Sequence, residues 1–268
     1  MRIIYLLLSI FFYSGCSSSK IAMATDDWKL SWSDEFNYNG LPDSTKWGYD
    51  KGGNGWGNNE LQYYTAASIN NAEVSNGSLK IKALYHPVEN RDYTSARIIT
   101  KGKAEFTYGK VEIRAKLPVG RGLWPAIWML GANFENKGWP ECGEIDIMEH
   151  VGFEKDSVFG TIHTKSYNHI IGTQKGKKIF IEKPYDSFHI YTLEWTPERM
   201  DFLLDGKLFN HIQNEHKTVA EWPFDSPFFL IMNLAVGGNL GGKKGVDTTV
   251  FPATLEVDYI RVYKPVNF

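Results

Sequence analysis

Three carboxylates within six residues are the feature of this sequence that most directly indicates chemistry. They are Glu144, Asp146 and Glu149, and apolar residues surround them, so the segment is predicted to be a β-strand rather than an acidic loop. Successive side chains of a strand point to opposite faces, which puts Glu144 and Asp146 on one face and Glu149 on the other. One extra residue near Ile147 or Met148, forming a β-bulge, would return Glu149 to the shared face.

Two carboxyl groups about 5 Å apart on one face suit a retaining glycosidase, with one as nucleophile and the other as acid/base. A solvated acidic surface and a metal site are the alternatives, and the residues alone leave both open. A solvated surface does not explain why Ile145, Ile147 and Met148 alternate so tightly with the acids. A hard-cation site usually draws on Asn, Gly and carbonyl ligands in a flexible loop, which this segment lacks.

Further segments support the glycosidase interpretation because they occur in the order found in one known family. Together with the acidic strand, they resemble glycoside hydrolase family 16, and specifically its laminarinase-like endo-β-1,3-glucanases. The resemblance runs from about Trp28 to Tyr263 and implies an all-β jelly-roll sandwich with a carbohydrate cleft across its concave sheet. The segments are WSDEF at 32–36, GWGNNELQYY at 55–64, SARI at 95–98, YGKVEIRA at 108–115, LWPAIWML at 123–130, EIDIME at 144–149 and VDYIRVY at 257–263.

The resemblance implies a role for each acid. Glu144 would be the nucleophile and Glu149 the general acid/base, and Asp146 would hydrogen-bond to Glu144 and hold its orientation. A purely structural role for Asp146 is the alternative. The resemblance implies no cofactor for catalysis.

Tryptophans and polar side chains are the expected substrate contacts. Trp124, Ala126 and Trp128 share a face of the predicted strand, and the small Ala126 would leave both indole faces accessible. In isolation such tryptophans are more often core, whereas the resemblance places them in the cleft. It also implies that Trp139 and His163 line the cleft near the scissile bond, and that the hydrogen bonds to sugar hydroxyls come from Asn58, for which Asn59 is an equal alternative, and from Arg97 and Asn233.

A structural calcium ion on the opposite face is a further implication of the resemblance. Its ligands would be the carbonyl groups of Glu35 and Gly77 and the side chain of Asp258. Asp258 stands beside Val257 and Ile260 in an apolar strand, where an unpaired carboxylate would be costly. A salt bridge to an Arg or Lys is the alternative.

Composition and turn signals indicate one all-β domain, predicted to span 28–268, and a monomer. A chain of 268 residues allows a single large sandwich. Many short apolar runs, separated by turn signals such as Asn76-Gly77 and Asp205-Gly206, favour that class. The net charge is only −2 and no basic stripe is present, so nucleic acid is not an expected partner. A neutral polymer such as a β-glucan is the expected partner.

The N-terminal segment predicts export. A charged start and a ten-residue apolar run are typical of a signal peptide and too short to span a bilayer. Residues 1–15 are predicted to be a lipoprotein-type signal peptide, Cys16 the lipidated first residue and 16–27 a tether. The protein would then touch a membrane only through its lipid anchor, at the bacterial outer membrane. The alternative is secretion after cleavage near Ala22 or Ala24. With Cys16 removed or lipidated, Cys142 has no partner for an intrachain disulfide.

Other functions on the same fold remain as alternatives. An agarase-like galactanase and a transglycosylase are the enzymatic ones, and a non-catalytic glucan-binding lectin is the third. The tryptophan-rich run at 123–130 favours glucan over galactan. Because Glu144 and Glu149 are both present, the lectin is disfavoured.

Overall fold

The computed structural model describes residues 28–266, which form two β-sheets. The predicted signal peptide, Cys16 and the tether lie outside the described residues. A four-residue helix α1 (Phe134–Lys137) and a short 3₁₀ turn (Thr248–Val250) interrupt the strands. The strands are β1 (Trp28–Asp34), β2 (Gly48–Asp50), β3 (Gln62–Tyr64), β4 (Ala72–Ser75), β5 (Ser78–Val88), β6 (Arg91–Ser95), β7 (Arg97–Ile99), β8 (Gly109–Lys116), β9 (Leu123–Gly131), β10 (Glu144–Glu149), β11 (Ser157–His163), β12 (Lys175–Phe180), β13 (His189–Trp195), β14 (Arg199–Leu204), β15 (Lys207–Gln213), β16 (Phe228–Val236) and β17 (Ala253–Pro265).

The ten-stranded sheet runs in the order β15-β14-β13-β8-β17-β5-β6-β3, with β4 paired to β5 and β1 paired to β17. Strand β17 is long enough to serve several partners, since it pairs with β5 through its first half and with β1 through its second. Strand β8 shows the period-two pattern of a sheet with one buried face, because every second residue from Gly109 onward is buried and the residues between are half-exposed.

The seven-stranded sheet runs in the order β12-β11-β10-β9-β16-β7-β2, with every neighbouring pair antiparallel. The acidic strand β10 lies between β9 and β11, so its side chains are flanked on both sides within the sheet. Because β10 is paired with a strand on each side, the sheet holds the side chains around the three carboxylates in place.

The larger of two hydrophobic clusters among the described residues joins the two sheets. Ile113 and Leu193 from the ten-stranded sheet and Met129 and Ile145 from the seven-stranded sheet are all fully buried members of it. Each sheet therefore buries one face, and the apolar area removed from water on those faces stabilises the fold by roughly 25 cal/mol per Å². The predicted all-β jelly-roll sandwich is confirmed.

Two hairpin turns form where the sequence predicts them. Asn76 and Gly77 connect β4 to β5 with φ of 53° and 74°, and Asp205 and Gly206 connect β14 to β15 with φ of 49° and 76°. Positive φ at both central residues is the type I′ geometry, whose twist matches that of the flanking strands. From 28 to 266, no helix is long and apolar enough to cross a membrane.

Candidate active site

The predicted β-bulge is present in strand β10. Its pairing with β9 shifts register between Asp146 and Met148, and Ile147 is the extra residue. The pairing with β11 shifts over the same stretch. Glu149 consequently lies opposite Ala126 of β9, on the face that also carries Asp146. The bulge thus places three carboxyl groups on one face of the sheet, as predicted.

Strand β9 supplies aromatic side chains to that same face. Trp124, Ala126 and Trp128 are partly exposed, whereas the alternate residues Ile127 and Met129 are buried in the core. The prediction that the three residues share the outer face is confirmed. The face therefore combines indole rings with carboxylates, a combination that suits a sugar polymer better than a metal ion.

Glu144 is held by two neighbours. The indole Nε1 of Trp139 donates a hydrogen bond to its Oε2 at 3.1 Å. His163, directly opposite Glu144 in β11, places its Nε2 3.7 Å from Oε1 of Glu144 and 3.3 Å from Oδ2 of Asp146. Trp139 and His163 therefore lie beside the predicted nucleophile, as expected.

Glu149 has an indole donor of its own. The Nε1 of Trp124 donates to Glu149 Oε1 at 2.9 Å. Each glutamate thus accepts one N–H from a different tryptophan, with Asp146 between them in the strand. Indole N–H groups cannot accept a proton, so these contacts orient the carboxylates without competing for the proton that catalysis moves.

Burial raises the pKa of all three carboxyl groups. The pKa of Asp146 rises to about 7, that of Glu149 to about 7 and that of Glu144 to about 8. Repulsion from Asp146 adds to the rise at both glutamates, while His163 and the indole donors oppose it. Because ionising one member disfavours ionising the next, the cluster holds both protonated and ionised carboxyls near neutral pH.

The side chain of Arg97 packs against two tryptophan rings. Its guanidinium pairs with Asp50 at 2.8 Å and lies 4.9 Å from the ring centroid of Trp56 and 4.8 Å from that of Trp128. The indole Nε1 of Trp128 donates to Oδ1 of Asn233 at 2.8 Å. Arg97 and Asn233 therefore lie on the predicted face. The expectation that both faces of each indole stay accessible is wrong for Trp128, since a cation covers one of them.

Trp124 also has one side covered. The glycine-rich segment after β16 approaches it so closely that a Cβ atom on Gly238 would lie 3.0 Å from its ring, and one on Gly241 would lie 2.7 Å from its Cβ. The backbone of this segment therefore packs against the indole. Sugar stacking on Trp124 is thereby restricted to what this contact leaves open.

Asn58 and Asn59 have different surroundings at the rim of the site. The carbonyl oxygen of Asn58 accepts from the backbone N of Asn239 at 2.7 Å, and its side chain bonds to the buried Glu60. The side chain of Asn59 is exposed and donates to Oδ1 of Asn239 at 2.9 Å. Both residues lie on the rim, and both side chains already have protein partners.

Three residues of the site were missed by the sequence analysis. Trp56 lies in the segment GWGNNELQYY at 55–64, and that segment was the available signal. Asp50 carries no signal, because its role arises only when β2 pairs with β7 and brings it opposite Arg97. His169 lies in a loop, and its ring is 5.0 Å from Trp139 and 5.2 Å from His163. Tertiary contact alone reveals it.

The three predicted calcium ligands lie on the ten-stranded sheet and its turns, away from the acids. Two carbonyls and a carboxylate are a suitable donor set for a hard cation. The carboxylate of Asp258, however, accepts from Arg114, which is the salt bridge considered as the alternative. The side chain of Glu35 pairs with Arg261 through two hydrogen bonds of 3.0 and 2.8 Å and leaves its carbonyl for other partners. Gly77 occupies the β4–β5 turn.

The metal alternative for the acid cluster is sterically open, since one ligand atom each from Glu144, Asp146 and His163 lies within 4.8 Å of the others. Comparison with known proteins favours the glycosidase interpretation. The model of the family described as glycosyl hydrolases family 16 matches residues 59–261, and enzymes of this family need no cofactor for catalysis.

Individual relatives agree with the family match. The chain is 54% identical to a β-glucanase from Rhodothermus marinus, over 98% of this chain and 95% of that protein. The crystal structure of the laminarinase from Rhodothermus marinus superposes with a TM-score of 0.88 at 55% identity, covering 90% of this chain and 99% of the other. A non-specific endo-β-1,3(4)-glucanase, crystallised with a glucan oligosaccharide at its active site, gives a TM-score of 0.86 at 46% identity and covers 89% and 95%.

Proposed function

Because the chain belongs to glycosyl hydrolases family 16 and is therefore a glycosidase, we propose that it is a retaining endo-β-1,3-glucanase acting on laminarin-like or mixed-linkage β-glucans. One observation carries the proposal. Glu144, Asp146 and Glu149 share the outer face of the seven-stranded sheet, and each glutamate accepts a hydrogen bond from its own tryptophan.

In the first step, ionised Glu144 attacks the anomeric carbon and forms a glycosyl ester. Protonated Glu149 gives its proton to the departing glycosidic oxygen as the carbon–oxygen bond breaks. The raised pKa of Glu149 keeps that proton available near neutral pH. When protonated, Asp146, whose pKa burial raises to about 7, no longer repels the charge of Glu144 and so favours the ionised nucleophile.

In the second step, Glu149 is ionised and acts as the base. It removes a proton from water, which attacks the anomeric carbon and releases Glu144 as the carboxylate. His163, whose Nε2 is 3.7 Å from Glu144, faces the carboxylate that becomes free in this step. Two inversions at one carbon leave the β configuration unchanged.

The substrate class follows from what lines the face. Trp124 and Trp128 offer apolar surfaces for sugar rings, and Asn233 and Arg97 offer polar atoms for hydroxyl groups. The tryptophan spacing favours glucan over galactan, and intact glutamates separate the protein from a glucan-binding lectin. The net charge of −2 suits an uncharged polymer.

Two measurements test the proposal. Release of reducing ends from laminarin, barley β-glucan and agarose should be strong for the first two and negligible for agarose. Proton NMR of the earliest product should show the β anomer before mutarotation, since carboxyls about 5 Å apart leave no room for an attacking water in a single displacement. Release from agarose alone would assign a galactanase, and an initial α anomer would contradict the double displacement.

We also propose a structural calcium ion, held by the carbonyl groups of Glu35 and Gly77 and by the carboxylate of Asp258. The support is the donor set, which suits a hard cation. Since the carboxylate of Asp258 already pairs with Arg114, calcium binding would have to compete with, or share, that contact.

For its location we propose export and anchoring at the bacterial outer membrane through lipidated Cys16, with the enzyme acting as a monomer. Two features support export: an apolar run after a charged start, and a polymeric substrate too large to import. Multiple acyl chains give stable anchoring where a single chain does not. Ser17 follows the cysteine, so the Asp that retains many lipoproteins at the inner membrane is absent from that position.

A further inference from the structure

The glycine loop, defined here as residues 237–242, lies against the tryptophan that holds Glu149. It follows β16 directly. A Cβ atom on Gly238 would lie 3.0 Å from the six-membered ring of Trp124, and one on Gly241 would lie 2.7 Å from the Cβ and 3.3 Å from the Cγ of Trp124. Only residues without a side chain allow the loop backbone to approach the indole this closely.

Hydrogen bonds on both sides fix the glycine loop in place. The backbone N of Gly237 donates to the carbonyl oxygen of Gly122 at 2.7 Å, beside the start of β9. The backbone N of Asn239 donates to the carbonyl oxygen of Asn58 at 2.7 Å, on the neighbouring rim segment. Within the loop, the N of Gly242 donates to the carbonyl oxygen of Gly238 at 3.0 Å. The glycine loop is therefore held by backbone hydrogen bonds where it packs against Trp124.

On the far side of the same indole, the Nε1 of Trp124 donates to Glu149 Oε1 at 2.9 Å. The indole thus lies between the glycine loop and the carboxylate. A shift of the ring by a fraction of an ångström would lengthen or misalign that hydrogen bond, since such bonds weaken steeply with distance and angle.

We propose that the glycine loop is a positioning element for the acid/base glutamate, and that it acts by fixing Trp124 in the orientation in which its N–H holds Glu149. The proposal rests on the proposed function, since it assigns Glu149 the proton transfer to the leaving oxygen. It gives Gly238 and Gly241 a role in the proton transfers of Glu149, the acid of the first step and the base of the second, rather than a general structural one. Neither residue touches the reacting atoms.

The N–H of Trp124 is one of several neighbouring groups that set the pKa of Glu149. Asp146 raises the pKa of Glu149, while the Trp124 hydrogen bond, His163 and Lys243 lower it. Loss of the hydrogen bond would remove one of the three contributions that lower the pKa of Glu149. The basic limb of the pH profile, which reports protonated Glu149, should then move to higher pH.

The matched test pair is Gly238→Ala and Gly245→Ala. Gly238 and Gly245 have nearly the same backbone, with φ of +75° and +74°, so alanine introduces the same left-handed strain at both. A Cβ on Gly238 meets Trp124 at 3.0 Å and the carbonyl oxygen of Asn58 at 3.1 Å, whereas one on Gly245 meets nothing within 4 Å. The difference between the two variants therefore reports the contacts of the glycine loop with the indole and with Asn58, and Trp124→Phe separates the two.

The readout is kcat/KM on two kinds of substrate. In laminarin oligosaccharides the leaving group is a hydroxyl oxygen of the next sugar, which needs a proton from Glu149. A dinitrophenyl β-laminaribioside has a phenolate that leaves without one. We expect Gly238→Ala to lose about tenfold on the oligosaccharides, a small part of the 10²–10⁴ that acid–base catalysis supplies, and less than about threefold on the dinitrophenyl substrate. Gly245→Ala should match the wild type on both.

Two further variants keep the test sharp if Gly238→Ala folds poorly. Gly241→Ala meets both Trp124 and the carbonyl oxygen of Gly237, each at 2.7 Å, from a position without positive φ, and Trp124→Phe removes the N–H while keeping an aromatic ring. Both should show the same dependence on the leaving group, together with the shifted basic limb. Equal losses on both substrates, or a Gly238→Ala variant indistinguishable from Gly245→Ala, would overturn the positioning role. Hydrolysis of laminarin by the wild type and Gly245→Ala would leave the proposed function standing in either case.

Discussion

Asp146 and Glu149 point to the same side of the seven-stranded sheet although they are three positions apart in one strand. In a regular strand an odd separation places two side chains on opposite faces. The extra residue Ile147 interrupts the ladder with both neighbouring strands and reverses that parity. Ile147 and Met148 both stay buried in the core, so the bulge costs no apolar burial.

This geometry predicts that deletion of Ile147 keeps all three acids on one face. Without it, Met148 still faces Ile127 and Glu149 still faces Ala126, and the ladder becomes regular. The variant should lose stability, since a buried isoleucine is removed at a cost of about 2–5 kcal/mol for a large core truncation. Activity on laminarin should fall about 10²-fold, as expected for a displacement of about 1 Å, and remain measurable.

Deletion of Ile145 is the matched control. Ile145 and Ile147 are equally buried, at 0% and 2% exposure, so the two deletions remove the same apolar side chain. Without Ile145, however, Glu144 and Asp146 become neighbours and face opposite sides. This variant should lose all measurable activity at a melting temperature similar to that of the first. Equal activity in both would show that parity does not govern the site.

Removing either glutamate's charge should abolish hydrolysis. Glu144→Gln removes the nucleophile and Glu149→Gln removes the acid/base, and a loss of at least about 10²–10⁴ in kcat is expected for each. Both variants should still bind laminarin oligosaccharides by calorimetry, because Trp124 and Trp128 are unchanged. Glu154→Gln, which alters an exposed pair with Lys178, should retain full activity. A glutamine variant with a few per cent of wild-type turnover would contradict the assigned roles.

The raised carboxyl pKa values predict that the site destabilises the fold at high pH. Glu149 has a pKa of about 7 in the folded protein against an ordinary value of 4.5, so the folded state binds more protons than the unfolded chain between these values. Stability from this group is therefore full below about pH 4.5 and is lost as the pH rises through about 7.

Glu149→Gln should accordingly melt above the wild type at pH 8, and the difference should shrink toward pH 5. Each kcal/mol corresponds to about 2–4 °C for a domain of this size. Differential scanning calorimetry at both pH values measures it, with Glu154→Gln as the exposed control. A variant that melts below the wild type at pH 8 would show that burial does not disfavour the charged form here.

Chelation separates the calcium proposal from the salt bridge. If calcium is bound, a chelator should lower the melting temperature of the wild type, since a ligand at a hundredfold excess over Kd contributes about 2.7 kcal/mol. Asp258→Ala should lose that response, and Arg114→Gln should keep it. If the salt bridge alone matters, chelation changes nothing, and both variants lose the 0.2–1 kcal/mol typical of an exposed pair.

Cys16→Ser should move the protein from the membrane fraction to the soluble fraction with unchanged specific activity. Buried acyl chains contribute about 0.8 kcal/mol per methylene to membrane binding, and the substitution removes their attachment point. Mass spectrometry of the native protein should find an acylated N-terminus at Cys16. A soluble native protein whose N-terminus begins after Ala22 or Ala24 would contradict the anchor and leave the enzyme unaffected.

Patterns within short segments were enough to predict the class of fold, the position of the acids and the bulge between them. Apolar alternation fixes which face of β8 or β9 is buried, because burial of that face is the main source of stability. The turn at Asn76-Gly77 follows from two residues that tolerate positive φ. The spacing of Asp146 and Glu149 required an extra residue, since chemistry needs both on one face. These are local relationships, and local rules suffice for them.

The groups that contact the acids and the tryptophans could be identified only from the folded protein. The ion pair between Arg97 and Asp50, the cation over Trp128 and the glycine loop behind Trp124 join residues far apart in the chain. Their contacts depend on which strands become neighbours and in which register, and that choice is made by the packing of the whole core. The pairing of Asp258 with Arg114 likewise joins β17 to β8, and no property of either segment alone specifies it.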